Sequence, residues 1–321
     1  MIDPEIAAFI ADTEAFYPAD ASSRSTAEQR RLYDAYAAAF APARPSGLAI
    51  DDANVLVSGR AVAVRRYRRA RQQPVGTVIY AHGGGFMLGS LDSHDGLVAR
   101  IADRTGADVI SVGYRLAPEH PAPAALDDVV GVIEAVGQGG SPWPDLAQGP
   151  IVLAGDSAGA TLVASAALRL QDRVRISALA LVYPMLGFEP APPARDSESQ
   201  APMLTLADVH FYRDLYLAGR KPDPGTFALD APSLADFPPT FLLAAEHDPL
   251  RDDCTAFAER LREAGTPVAL TLAEGLVHGF LRAIDRSRAA AAAFDALVAF
   301  LRLRLAREGD ALQSTGAGRT A

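Results

Sequence analysis

Ile151-Val152-Leu153-Ala154-Gly155-Asp156-Ser157-Ala158-Gly159 decides how this chain folds. An apolar, β-branched run ends in a glycine-flanked pentapeptide and passes directly into a helical pattern over residues 158–171. This is the pattern of a nucleophile elbow, in which a strand turns sharply into a helix and leaves a serine, here Ser157, exposed at the tip. Glycine suits positions 155 and 159 because a Cβ at either would collide with the turn or the neighbouring strand. Upstream, His82-Gly83-Gly84-Gly85-Phe86 follows a second apolar run, Thr77 to Ala81. Its glycines leave backbone N–H groups unobstructed, which is what a developing oxyanion needs. In this order and context the two motifs predict acyl transfer through a serine.

Outward from the elbow, strand-like runs alternate with helical ones. Strands are predicted over 77–81, 108–112, 151–154, 178–183, 240–244 and 268–272, and helices over 95–104, 124–136, 158–171, 253–264 and 287–305. Such alternation predicts an α/β fold, a mostly parallel central sheet with helices on both faces. Asn54–Val57 and Ala61–Tyr67, with Ser58-Gly59 between them, predict a leading antiparallel hairpin. Two regions break the rhythm. Residues 1–45 read as N-terminal cap helices, with Ile6, Phe9 and Ile10 at helical spacing. Within the core at 46–307, an insertion at about 186–236 opens with Pro190, Pro192 and Pro193 and continues as an aromatic helix. An insertion after a core strand predicts a helical cap over a site at the strand ends. The polar stretch 308–321 is expected to be a disordered tail.

Composition narrows the function classes. Over 321 residues, 49% hydrophobic and 21% charged content is that of a globular protein with ample chain for a core. A net charge of −9 argues against a nucleic-acid partner, since no basic stripe would neutralise phosphates. The cluster from Arg65 to Arg71 is expected to be a solvated strand edge. Cys254 is the single cysteine, which excludes an internal disulfide and fits a reducing compartment. No basic segment with an apolar core opens the chain, and the alanine-rich stretch 289–301 is interrupted by Asp295. A cytoplasmic enzyme without a membrane span is therefore expected.

A serine hydroxyl needs a base, and the base needs an orienting acid, in the chain order Ser, Asp or Glu, His. Among six histidines only His278 lies downstream of a plausible acid after a core strand, in a loop flanked by Gly275 and Gly279. Of the acids at 246–253, Asp248 stands closest to the strand end before the next helix. Asp252 and Asp253 read instead as carboxylates of that helix's first turn, favourable against its dipole. His82 is expected to anchor its glycine loop, Asp156 to tighten it, and His94, His120, His210 and His247 to be structural or exposed, with no metal-ligand spacing.

With Tyr114-Arg115-Leu116-Ala117-Pro118-Glu119-His120-Pro121, Asp248-Pro249-Leu250-Arg251-Asp252 and His278-Gly279-Phe280, the chain resembles the hormone-sensitive lipase family of α/β-hydrolases, in its bacterial carboxylesterase branch. The resemblance runs from about Asn54 to the last helix. It implies the α/β-hydrolase fold, with Ser157 as nucleophile, His278 as base, Asp248 as orienting acid, and an oxyanion hole from the N–H groups of Gly84, Gly85 and Ala158. Phe86, Phe211, Tyr212 and Tyr216 are candidate pocket residues, the last three as a roof that shortens it. The glycine triplet is further expected to leave room beside the scissile carbonyl for bulky tertiary alcohols. The expected function is a serine carboxylesterase acting on small, apolar, short-chain esters, with no cofactor and no metal. The expected partner is that ester, and a homodimer is compatible with the chain. An amidase or lactonase on the same triad is the near alternative, and a receptor-like binding protein of the same fold the distant one.

Overall fold

The computed structural model describes the backbone of residues 1–316 and the side chains through Ala306. In chain order its main elements are α1 (Pro4–Phe16), α2 (Thr26–Ala39), β1 (Leu48–Val57), β2 (Arg60–Arg69), β3 (Thr77–Ala81), α3 (Asp95–Thr105), β4 (Asp108–Gly113), α4 (Ala124–Gly137), β5 (Ile151–Asp156), α5 (Ala158–Leu170), β6 (Ala178–Val182), α6 (Ala194–Ser197), α7 (Leu206–Leu217), β7 (Thr240–His247), α8 (Arg251–Glu263), β8 (Val268–Val277) and α9 (Arg288–Gly316). The strands form one eight-stranded sheet in the order β1-β2-β4-β3-β5-β6-β7-β8. The β1–β2 and β2–β4 pairs are antiparallel and every other pair is parallel. The expected α/β architecture is thus the observed one.

The inner parallel strands read as largely apolar runs because both faces of the sheet are covered there. Along β5, Leu153 packs into the core beneath α4, α5 and α8, while Val152 and Ala154 face the core built with α1, α3 and α9. That alternation follows from the two-residue period of a strand. β3 pairs with β4 on one side and β5 on the other, so the order of the sheet reverses there. Crevices for ligands open at such switch points, beyond the carboxyl ends of the strands. Both motif pentapeptides stand at those ends.

Three expectations shift. The hairpin is longer than predicted, and β2 is an inner strand because β1 covers it. The arginines of β2 are therefore not a solvated edge. The register sets Arg65 opposite Asp52 and Arg66 opposite Asp51, and these cross-strand neighbours ion-pair at 2.6 and 2.8 Å. Arg68 in turn reaches the buried Asp108 at 2.5 Å. Second, α1 is fastened to the core. Asp3 caps it, accepting from the N–H groups of Glu5 and Ile6, and Ile6, Phe9 and Ile10 are buried. Phe9 meets Phe40, just beyond α2, edge-on at 5.6 Å. Third, α9 runs through Gly316, taking in the first part of the tail read from Glu308, in keeping with the helix-forming Ala306, Arg307 and Glu308. Residues 317–321 lie outside the described residues.

Candidate active site

The elbow places Ser157 in a backbone conformation that side chains seldom adopt, φ 50° and ψ −125°. A non-glycine residue persists there only where its surroundings hold it. They do so through close packing: a Cβ on Gly159 would lie 2.1 Å from the carbonyl oxygen of Ala81, and one on Gly155 2.7 Å from the backbone of Gly159. The Ser157 N–H donates to Val182 on the adjacent strand at 2.9 Å. Glycine at both positions is thus a requirement of the β3–β5–α5 contact.

Two further strand ends bring the partners. Asp248 follows β7 and is fully buried, one carboxylate oxygen accepting from the Leu250 N–H at 2.8 Å. His278 follows β8, with Nδ1 2.7 Å from the other Asp248 oxygen and Nε2 2.8 Å from the Ser157 hydroxyl. These partners assign the proton to Nδ1 and leave Nε2 to accept from Ser157. The Tyr183 ring packs on the imidazole at 4.5 Å. Asp252 and Asp253 stand in the first turn of α8, as expected, and neither is bonded to His278. Instead, Asp253 accepts from the N–H groups of Leu186, Gly187 and Ala191, and Asp252 from that of Ala194. Together they pin the start of the 186–236 insertion. Burial pushes the Asp253 carboxyl up to about 7, against the pull of those three bonds.

The glycine loop rests on Asp156. One oxygen of its carboxylate accepts from Tyr80 Oη at 2.6 Å and the Gly83 N–H at 3.0 Å, and the other faces His94 Nε2 at 3.4 Å. Burial would raise this carboxyl, but His94 and Tyr80 hold it below the usual range. His82 Nδ1 bonds the Gly83 carbonyl at 2.9 Å, and burial lowers this histidine to about 3, keeping it neutral. Among the described residues no acceptor bonds the N–H groups of Gly84 or Gly85. Both glycines line, with Ser157 and His278, a cavity of about 160 Å³. Ala158 opens α5, where a first-turn N–H has no intrahelical partner, but it is buried and not part of the cavity wall.

The pocket expectations need correction. Tyr212 does line the cavity, its ring lying over Gly85. Phe86 and Tyr216 do not: they stack on each other at 4.1 Å inside the core. Phe86 has φ 62°, and Tyr216 stands one helical turn beyond Tyr212 on the same face of α7, which carries it past the cavity. Phe211, half exposed, faces a larger outer cleft of about 640 Å³. That cleft shares Tyr33, Tyr36, Leu88, Met203 and Tyr212 with the inner cavity. The glycine triplet is tightly packed on its Cβ sides. The directions of its absent Cβ atoms are filled by the Asp156 carboxylate at 2.4 Å, the Leu88 carbonyl at 2.3 Å and the Tyr212 ring at 2.4 Å. Glycine is therefore required at all three positions by these protein contacts. Sequence reasoning missed Tyr33 and Tyr36 on α2, Met203 and Arg282. Only Arg282 carried a signal, as a charged residue in the apolar turn Phe280-Leu281-Arg282-Ala283-Ile284.

Among the described residues no three His, Cys, Asp or Glu side chains are grouped to hold a metal ion, and no helix is long and apolar enough to cross a membrane. The sheet, the elbow and the Ser–His–Asp contacts define an α/β-hydrolase. The chain belongs to the α/β hydrolase fold family, whose model matches residues 78–282. It is 39% identical over 214 residues to esterase LipI of Mycobacterium tuberculosis, a match spanning 64% of this chain and 65% of that one. It is 29% identical over 294 residues to an ethyl acetate hydrolase of Pseudomonas putida, covering 88% of this chain and 92% of that one. A solved hyperthermophilic esterase from Pyrobaculum calidifontis superposes with a TM-score of 0.83 at 27% identity, over 95% of this chain and 99% of that one.

Proposed function

We propose that this chain is a serine carboxylesterase that hydrolyses short-chain esters through an acyl-enzyme. The observation that carries the reading is the unbroken chain of contacts from Ser157 through His278 to the buried Asp248, opening on a small cavity. Ser157 Oγ attacks the ester carbonyl carbon while its proton passes to His278 Nε2. The resulting oxyanion is met by the N–H groups of Gly84, Gly85 and Ala158, the hole that the motifs imply. Asp248 holds the imidazole in the productive tautomer and stabilises the imidazolium. Collapse of the intermediate releases the alcohol, which takes the proton from His278. Water, deprotonated by the same nitrogen, then frees the acid and restores Ser157.

The size of the cavity and the similarity to an ethyl acetate hydrolase support small substrates. The helices of residues 1–45 and the 186–236 insertion serve as its cap. The lone, buried Cys254 supports a reducing, cytoplasmic setting, and the outer edge of β8, with the exposed Leu272, is where a second copy would pair in a homodimer. His278 disfavours the receptor-like alternative, whereas an amidase or lactonase would use the same triad. A panel of p-nitrophenyl esters from acetate to palmitate tests the reading. Turnover should peak between acetate and hexanoate and vanish in Ser157→Ala. A flat or long-chain profile would remove the short-chain assignment, and activity surviving in Ser157→Ala would remove the serine mechanism.

A further inference from the structure

The cavity beside Ser157 contains a cation that the ester chemistry does not use. Arg282, in the 3₁₀ turn Phe280–Ala283 after His278, lines the same cavity as Ser157, Gly84 and Gly85. Its guanidinium donates to the Ser93 carbonyl at 3.0 Å and to Tyr33 Oη at 2.9 Å, and lies over the rings of Tyr33 and Tyr36 at 5.1 and 5.3 Å. Those two bonds leave part of a five-donor fork unspent. Among the described residues no carboxylate approaches Arg282 within the 4.0 Å of an ion pair. Asp34 and Asp156 feel its charge, but Asp34 is exposed, and both oxygens of Asp156 are engaged by Tyr80, Gly83 and His94. A guanidinium with free donors, stacked on aromatic rings at the wall of a small cavity, suits planar recognition of a carboxylate.

We propose that Arg282 is a specificity-determining residue and that the preferred substrates are small esters carrying a free carboxylate, such as half-esters of short dicarboxylic acids. The carboxylate binds the open side of the guanidinium while the ester carbonyl meets Ser157. This rests on the esterase reading above and deepens it. The bland alternative is that Arg282 only clamps α2 to the loop at Ser93.

The test compares monoethyl malonate, succinate and glutarate with the neutral ethyl butanoate and ethyl pentanoate at pH 7.5, reading the ratio of kcat/KM for charged over neutral ester. The ratio is internal to each preparation, so partial misfolding of a variant does not shift it. The full chain should favour at least one half-ester by about ten- to a hundredfold, the range of a hydrogen bond to a charged group. Arg282→Gln should bring that ratio close to one, and Arg282→Lys should keep part of it. A full chain that prefers the neutral esters, or an Arg282→Gln variant that keeps the preference, overturns the proposal while leaving the esterase reading intact. Failure to hydrolyse any ester, neutral or charged, would overturn the esterase reading itself.

Discussion

The two sides of the cavity are built in different ways. The reactive side comes from the ends of β3, β5, β7 and β8, strands held by their register in one sheet, the first three of them buried on both faces. The facing side comes from α2, α7 and the stretch around Met203, helices and loops far apart in the chain that meet over Gly85. On the first side each side chain is fixed by a tight local turn, such as the elbow at Ser157 or the Asp248 loop. On the second, position depends on how one helix docks against another. On this account chemistry resides in the rigid half, and preference for acyl-chain length in the half assembled by long-range packing.

If that division holds, changes to the triad at the strand ends should cost turnover without shifting preference. Asp248→Asn should lower kcat by about 10⁴ through the wrong histidine tautomer. Asp252→Asn, whose carboxylate meets Arg251 and the Ala194 N–H but not His278, should stay within a few-fold. Equal losses in the two variants, measured with p-nitrophenyl acetate, would reassign the orienting acid and blur the division.

Changes on the helical side should do the reverse. Tyr212→Ala removes the ring above Gly85 and joins the inner cavity more openly to the outer cleft. The preferred acyl chain should lengthen, with kcat/KM for acetate falling by about tenfold, the order expected when a positioning contact of about 1.4 kcal/mol is lost. An unchanged chain-length profile would show that the helices do not set the pocket.

The last expected effect is on stability and not on turnover, and concerns the floor beneath the glycine loop. Burial holds His82 neutral down to about 3, and His94 is lowered for the same reason. In the unfolded chain these histidines bind a proton near pH 6.5. The unfolded state therefore takes up protons first as the pH falls, so stability is full above about 6.5 and is lost on acidification toward 3. For one such group the slope is about 1.4 kcal/mol per pH unit. Urea unfolding midpoints at pH 7, 6 and 5 should decline in the wild type and decline less in His82→Asn. Parallel slopes would mean that His82 is not buried and neutral.

How much of this was legible in the sequence follows the same division. The strands, the elbow and the order of Ser157, Asp248 and His278 could be read because each is written in a short stretch: an apolar run, then a turn whose glycines are forced by contacts such as that of Gly159 with Ala81. The far side could not be read that way. Phe86 and Tyr216 were natural pocket candidates, but a positive φ at Phe86 and one extra helical turn at Tyr216 bury both in the core. Tyr33 and Tyr36 belong to a helix whose docking no local pattern announces, and the arginines of β2 looked solvated because their aspartate partners lie on other elements. Asp253 was read correctly as a first-turn carboxylate, yet its three bonds to the insertion could be seen only in three dimensions.

The central claim is that Ser157 is the nucleophile, and active-site labelling tests it most directly. The protein is treated with a p-nitrophenyl phosphonate ester, its intact mass recorded, and the modified peptide sequenced. The account predicts one phosphonyl group per chain, carried by Ser157, with activity lost in step with labelling and no adduct in Ser157→Ala. An unlabelled chain that still hydrolyses esters, or an adduct on another residue that tracks inactivation, would contradict it.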